Sequence, residues 1–404
     1  MKKIILSSTI TSSLVLAGAY KIPEQSVNSM ALGAAYVAHT DGADTAYFNP
    51  ANMAFMKDKQ FAEVGLTLAH LPRNEFKGDV AVTSGKSEIE NLIIPNLHYV
   101  SQPMGNFRWG ASLTVPGGLT KRWKSPLQKA FAEEFTLEII ELNPVLSYRV
   151  SDNFAIGGGL RFISSKGIVK NDARGVGKPV QREMEGDTME LGYNLALTYK
   201  PTSDINMAIT YRSEIELKEE GEANLYLGSI GKQFSADVTV PLPAALNISV
   251  SKTWADRYTA EVNYERTYWS AYKELDFNYG KPIQPRLVPS FDDTKIRAWK
   301  DTNTLRLGLT AKINNSVTLM GAVLKDETPV PLEYVGYELP DSDAMIYSMG
   351  VRIKANDNFS YGIAYLHDEK ETLTVKQGTS ESQINGKFSE GGADLLTVGM
   401  AYTF

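Results

Sequence analysis

The sequence predicts an all-β fold, a fourteen-stranded antiparallel transmembrane β-barrel with its first mature segment folded into the lumen as a plug, and three observations predict it. The last ten residues alternate strictly, with Leu396, Val398, Met400, Tyr402 and Phe404 on one face and Leu395, Thr397, Gly399, Ala401 and Thr403 on the other. A period of two with a greasy face, ending on an aromatic residue, is what a lipid-facing closing strand requires. The amino terminus carries Lys2 and Lys3, an apolar and hydroxyl stretch from Ile4 to Leu16, and then Ala17-Gly18-Ala19, the makeup of a secretory signal peptide. Finally, short polar turns recur between alternating runs at roughly 50 to 60 residues, one per hairpin.

Composition narrows the function classes. The chain of 404 residues has no cysteine, which excludes a disulfide framework, a thiolate metal site and a cysteine nucleophile. The formal charge of -6, or -8 once Lys2 and Lys3 leave with the leader, argues against a nucleic-acid partner. No stretch after the leader approaches the length of a membrane helix. The mean hydropathy of -0.22 decides nothing, because a barrel hides its lipid face at every second residue.

Taken in order, residues 1-19 read as the leader and 20-58 as the plug, which holds Gly33, Gly42, five alanines and the turn Asn49-Pro50-Ala51 but no alternation. A compact small-residue segment has no place in a wall and fits inside one. The barrel then occupies 59-404. Its tight turns fall at 102-106, 151-153, 201-204, 255-256, 314-315 and 356-358, where Asn, Asp, Pro, Ser and Gly supply turn conformations. Longer polar stretches at 72-90, 117-134, 167-186, 219-232, 270-296, 326-343 and 371-384 read as loops, and the thirteen connections make fourteen strands. Within the strands, runs such as Phe107, Trp109, Ala111 and Leu113 against Arg108, Gly110, Ser112 and Thr114 separate a lipid face from a lumen face.

Several residues stand out for function. Proline removes a ladder donor, so Pro95, Pro116, Pro144 and Pro243 are candidates for a kink in the wall. The stretch from Gly117 to Glu134 sets Lys121, Arg122 and Trp123 beside Leu127 and Phe131 at helical spacing, an arrangement able to take an alkyl chain and its carboxylate, or equally to face lipopolysaccharide phosphates. Arg161, Arg306 and Arg352 fall on lumen positions by parity. They are candidate headgroup ligands, alongside the expectation that most lumen arginines pair with carboxylates such as Glu141 and Glu265. The four histidines form no hydrolase or metal constellation, so neither catalysis nor a cofactor is expected.

The plug with its Asn49-Pro50-Ala51, followed by Ile94-Pro95-Asn96-Leu97-His98-Tyr99, Val115-Pro116-Gly117-Gly118-Leu119-Thr120, Glu141-Leu142-Asn143-Pro144, Trp299-Lys300-Asp301-Thr302, Asp326-Glu327-Thr328-Pro329 and Leu339-Pro340-Asp341-Ser342-Asp343, resembles the FadL/TodX family of outer-membrane transporters across essentially the whole mature chain. Ala344 stands where that family's pattern leads one to expect an arginine. The resemblance implies a fourteen-stranded barrel in the bacterial outer membrane with an internal hatch, carrying long-chain fatty acids or similar hydrophobic molecules. It also implies a route of capture at the outer loops, lumen binding, hatch rearrangement and sideways exit near a kink in the third strand. The alternatives are a channel for aromatic hydrocarbons and a general diffusion porin. Expected partners are the hydrophobic ligand, membrane lipid and lipopolysaccharide, and the barrel assembly machinery acting on Phe404, with the protein monomeric.

Overall fold

The computed structural model describes residues 18-376 and 384-404, so the expected leader, apart from Gly18 and Ala19, lies outside the described residues. Fourteen strands run antiparallel: β1 (Phe61–Leu71), β2 (Glu90–Val100), β3 (Phe107–Arg122), β4 (Glu134–Arg149), β5 (Phe154–Asp172), β6 (Val180–Tyr199), β7 (Ile205–Arg212, resuming as Ile215–Leu227), β8 (Ile230–Leu242, resuming as Ala245–Trp254), β9 (Tyr258–Thr267), β10 (Thr302–Lys312), β11 (Val317–Asp326), β12 (Ala344–Lys354), β13 (Phe359–Lys370) and β14 (Gly392–Thr403). The ring closes where β1 pairs with β14, from Phe61 opposite Thr403 to His70 opposite Asp394. Closure leaves no first or last strand unpaired, the condition for crossing a bilayer with strands.

Side-chain parity follows the expected sorting. Leu191, Tyr193, Leu195 and Leu197 on β6, or Leu305, Leu307 and Leu309 on β10, are exposed outward. Glu63, His98, Arg108, Glu141, Asn143, Arg161, Glu261 and Arg306 are buried inward. The six tight turns connect strands where expected, all at one end together with the carboxyl terminus. Two expected loops are largely strand instead, and a third is so at its start: β5 and β6 flank only residues 173-179, β7 and β8 meet across residues 228-229, and β3 runs to Arg122. These extensions stand above the lipid belt, where water rather than lipid meets the outer face while Val169, Val180, Met184, Leu217 and Leu225 pack inside. The outward positions Glu216, Lys218, Glu220 and Glu222 are therefore charged, and their composition resembles a loop.

The segment from Gly18 to Met56 lies inside the ring, for it bonds to strands around the whole circumference. It contains α1 (Val27–Ala31), α2 (Thr45–Phe48) and a 3-10 turn (Pro50–Phe55). Asn28 accepts from Arg352 on β12 at 2.8 Å, and the Ala51 carbonyl accepts from Ser147 on β4 at 3.2 Å. Asn49 donates to Thr198 on β6 at 2.9 Å. The backbone N–H groups of Val37, Ala38 and His39 all donate to the Glu261 carboxylate on β9, at 2.6, 2.9 and 2.8 Å. Close approach is made possible by missing side chains on the wall: a Cβ at Gly350 would come within 2.6 Å of the Ala31 Cβ, and one at Gly157 within 2.6 Å of the Ala51 nitrogen. Gly33 adopts φ of +49° and turns the chain out of α1 against Leu324, while Gly42 leaves room for the Asp44 and Glu63 carboxylates.

Candidate functional site

Two regions have the geometry of a transport path: a seam in the wall filled by the amino-terminal segment, and a cavity among the outer loops.

The seam lies between β2 and β3. Their ladder covers only Leu97–Val100 against Gly110–Leu113, and β3 bulges between Thr114 and Gly117, so that Pro116 sits in the irregularity. Pro95, without an N–H, sits just past the end of the ladder. Above Leu113 the strand turns inward, and every residue from Thr114 to Lys121 is buried. The amino-terminal segment takes the missing neighbour's place. Ile22 N–H donates to the Pro116 carbonyl at 2.9 Å, Gly118 N–H donates to the Tyr20 carbonyl at 2.8 Å, and the Gln25 amide bonds both the N–H and the carbonyl of Val115, at 3.0 and 2.8 Å. His98 fixes the arrangement from β2. Its Nε2 lies 2.8 Å from the Gln25 carbonyl, which can only accept, so Nε2 carries the proton and Nδ1 accepts from Ser112 at 2.9 Å. Of the other prolines, Pro243 stands in the break of β8 and Pro144 remains in register with Ala111 of β3.

The outer cavity has a volume of about 600 Å³ and sits between α3 (Pro126–Ala132) and the loops of residues 275-297 and 334-338. Phe131, Phe135, Leu275, Phe277, Phe291 and Ile296 supply apolar lining. Of the cations in the lining, Lys295 is exposed, whereas Arg182 is buried without a carboxylate partner: 5% exposed, it stacks over Phe277 with its guanidinium carbon 3.8 Å from the ring centre, and bonds the Asn171 side-chain oxygen at 2.7 and 3.0 Å. It makes no ion pair among the described residues. Arg297, in the same lining, is neutralised by Glu338 at 2.5 Å. A smaller void continues inward past Phe135, Tyr334 and Arg297 to Leu119, Trp299 and Tyr20. There Tyr20, Trp269, Tyr272 and Trp299 pack edge to face or tilted, with ring centres 4.7 to 6.5 Å apart. The Tyr20 hydroxyl donates to the Pro241 carbonyl.

The residues singled out from sequence divide. Phe131 lines the cavity, its ring 5.7 Å from that of Tyr337. Trp123 is buried behind it and donates to the Tyr337 carbonyl at 2.8 Å, and Leu127 is half-buried away from the lining. Lys121 is buried with its ammonium on the Asn74 side chain, and Arg122 pairs with Glu90. The lumen arginines are likewise matched: Arg161 with Glu141 at 3.0 Å, Arg306 with Glu265 at 3.0 Å and Arg352 with Glu63 at 2.6 Å. Arg182 was missed because it falls in a stretch read as loop. The signal was the alternation of Val180, Arg182 and Met184 with Gln181, Glu183 and Glu185.

A closed barrel with alternating lipid and lumen faces, filled by its own amino-terminal segment and opening outward into a cavity rich in aromatic side chains, defines an outer-membrane transporter of hydrophobic compounds. Residues 8–404 match the Outer membrane protein transport protein (OMPP1/FadL/TodX) family, and the chain belongs to it. Members of this family are transporters rather than enzymes. The long-chain fatty acid transport protein of Escherichia coli O6:H1 is 24% identical over 93% of both chains. Outer membrane protein P1 of Haemophilus influenzae is 23% identical over 100% of both. Among solved structures, a Pseudomonas aeruginosa FadL homologue superposes with a TM-score of 0.81 at 19% identity, covering 95% of this chain and 99% of that one. The P. putida toluene transporter TodX gives 0.72 at 16% identity, covering 94% and 97%.

Proposed function

We propose that this protein takes up long-chain fatty acids, binding the carboxylate at Arg182 and the alkyl chain in the outer cavity before passing the molecule inward. The observation that carries this reading is the buried guanidinium without a carboxylate partner, set among the aromatic and aliphatic side chains that make up part of the lining. A hydrocarbon cargo needs no cation, whereas an alkyl carboxylate pairs with one by charge-assisted hydrogen bonds. The cavity's size lies within the range of sites that enclose ligands of this class.

Burial of some fifteen methylenes stabilises a bound chain by up to roughly 12 kcal/mol, enough to trap it in a static site. Something has to move, and the amino-terminal segment is the element so placed: Tyr20 borders the inner void, and the residues just after it fill the β2–β3 seam. Displacing Tyr20 to Gln25 joins the void to the seam and gives the chain a lipid-facing exit. The rest of the hatch, held by Glu261, Arg352 and Ser147, need not leave the lumen.

The test is native mass spectrometry of the purified barrel combined with uptake of labelled fatty acid and labelled toluene by a host lacking its own transporter. Fatty-acid uptake with co-purified alkyl carboxylate supports the reading. Toluene uptake without fatty-acid uptake sinks it.

A further inference from the structure

We propose that the wall has a second lipid-facing portal, between β6 and β7, through which the same cargo leaves the lumen. The inference rests on the transport reading above but concerns a different part of the barrel.

The two strands pair in two blocks. Asn194–Tyr199 face Met207–Arg212, and Val180–Asp187 face Glu220–Leu227. Between the blocks, residues 188-192 of β6 and 214-219 of β7 share no ladder. Each strand keeps its other neighbour through this stretch: Met189 lies opposite Ser164 on β5, and Ile215 opposite Leu242 on β8. Only the seam between them is open. It lies at the upper margin of the lipid belt: Met189 and Leu191 on its β6 border are 81% and 59% exposed, while its β7 border turns Glu214, Glu216 and Lys218 outward.

Parity explains why it opens. On the lower part of β7 the buried positions are even, Ala208 and Thr210; on the upper part they are odd, Ile215, Leu217 and Glu219. An extra residue at Ser213-Glu214 has turned the strand over. On β8 the same inversion occurs across Pro243-Ala244, between Val240 and Leu242 above and Ala245, Ser249 and Ser251 below. Meanwhile β6 keeps even positions inward throughout, from Arg182 to Thr198. A strand that gains a residue beside one that does not must buckle away from it.

The opening is backed by a void. A crevice of about 50 Å³ is lined by Tyr47, Phe48 and Pro50 of the hatch, by Arg212, and by Leu195 and Tyr211, whose side chains point to lipid. It reaches from the plug into the wall just below the seam, where the Ser213 N–H donates to the Tyr193 carbonyl and the Tyr193 N–H to the Ser213 hydroxyl, each at 2.9 Å, closing the gap. Two side chains bar the way: Ile215 and Ser213 lie over Gly192, where a Cβ would come within 2.5 Å of the Ile215 Cδ1 and 2.8 Å of the Ser213 Oγ. The inner border is polar, with Glu190 and the Arg212–Glu141 pair; the outer border is greasy on β6, with Met189, Leu191 and Tyr193, and charged on β7, with Glu214, Glu216 and Lys218. The β6 side gives an alkyl tail an apolar path outward.

The absence of native cysteine makes a staple clean. Extending the upper register sets Leu191 opposite Glu216, both outward. The experiment compares oxidised and reduced Leu191→Cys/Glu216→Cys for fatty-acid uptake in a host lacking its own transporter. A second pair, Ile22→Cys/Val115→Cys, pins the hatch in the β2–β3 seam. Cross-linking is scored by mass and barrel folding by heat-modifiable mobility. The expected result is an uptake rate lowered at least about twofold by the β6–β7 staple and restored by reductant, with Ile215→Ala, which removes one of the two bars, raising it. Unchanged uptake with the β6–β7 staple formed, while the hatch pin abolishes it, overturns the proposal and leaves the β2–β3 seam as the exit. Unchanged uptake with both staples formed refutes sideways exit altogether. If neither oxidation nor a short thiol-reactive linker joins 191 to 216, the two borders are not opposed and the proposal fails.

Discussion

Replacing Arg182 with methionine tests the cargo assignment most directly. The guanidinium is 5% exposed, so solvent does little to screen it, and its side-chain acceptor at hydrogen-bonding distance is the neutral Asn171 oxygen. A hydrogen bond to a charged group in such a place contributes about 1.5 to 3 kcal/mol, which corresponds to roughly 10- to 100-fold in affinity. Methionine keeps much of the stem that packs between Phe277 and Phe291 but removes the charge and the fork. Calorimetric titration of the barrel in lipid nanodiscs should therefore show palmitate binding weakened by that factor, while hexadecanol, with the same chain and no carboxylate, changes by less than about threefold. Arg182→Lys, retaining charge without the planar fork, should fall between. Equal weakening of acid and alcohol would mean that Arg182 only props the cavity walls. An unchanged affinity for the acid would remove the argument for a fatty-acid cargo.

Three further outcomes are expected. Deleting residues 20-58 should convert a barrel of low conductance into an open pore in planar bilayers, and an unchanged current would show that the segment does not occlude the lumen. Gly157→Val, whose added Cβ meets Pro50 and Ala51 of the hatch, should push that turn off its seat at a cost of about 1 to 3 kcal/mol, read as faster hydrogen exchange in residues 49-55. The docking of the hatch should weaken as pH rises. Burial first, and the nearby Glu63 carboxylate second, push Asp44 from 3.8 up to about 8 despite Arg352, and burial pushes Glu24 from 4.5 to about 7. The docked state then holds protons that the undocked state releases, so docking is tightest below about pH 4 and is lost progressively up to about pH 8. Hydrogen exchange of hatch amides at pH 5 and pH 8 should show the difference, and Asp44→Asn, neutral throughout, should flatten it.

Much of this architecture was legible in the sequence because a lipid face imposes a strict rule on alternate residues. Leu396 to Phe404, or Leu191 to Tyr199, have no other economical explanation. Tight turns were equally clear, since residues such as Asn356-Asp357-Asn358 serve few other purposes. Above the membrane the rule lapses. Outward positions there become Glu216, Lys218 and Glu220, and strand looks like loop, which hid the upper halves of β5 to β8 and with them Arg182. The parity inversions at Ser213-Glu214 and Pro243-Ala244 were hidden for a related reason, because each is one extra residue in a run that still alternates on either side. The outer cavity was the least legible feature. It is assembled from Phe131, Arg182, Phe277 and Phe291, which are far apart in sequence and are brought together by ring closure rather than by any local pattern.

Val27 near the start of the hatch rests on two wall glycines, Gly362 of β13 and Gly399 of β14, where a Cβ would come within 2.8 Å of it. The earliest part of the mature chain to be synthesised thus finds part of its seat on the very last strand, whose partner on the far side is β1. The seat of the plug is therefore complete only with the carboxyl-terminal strand in place, and the two ends of the polypeptide meet in the finished cylinder.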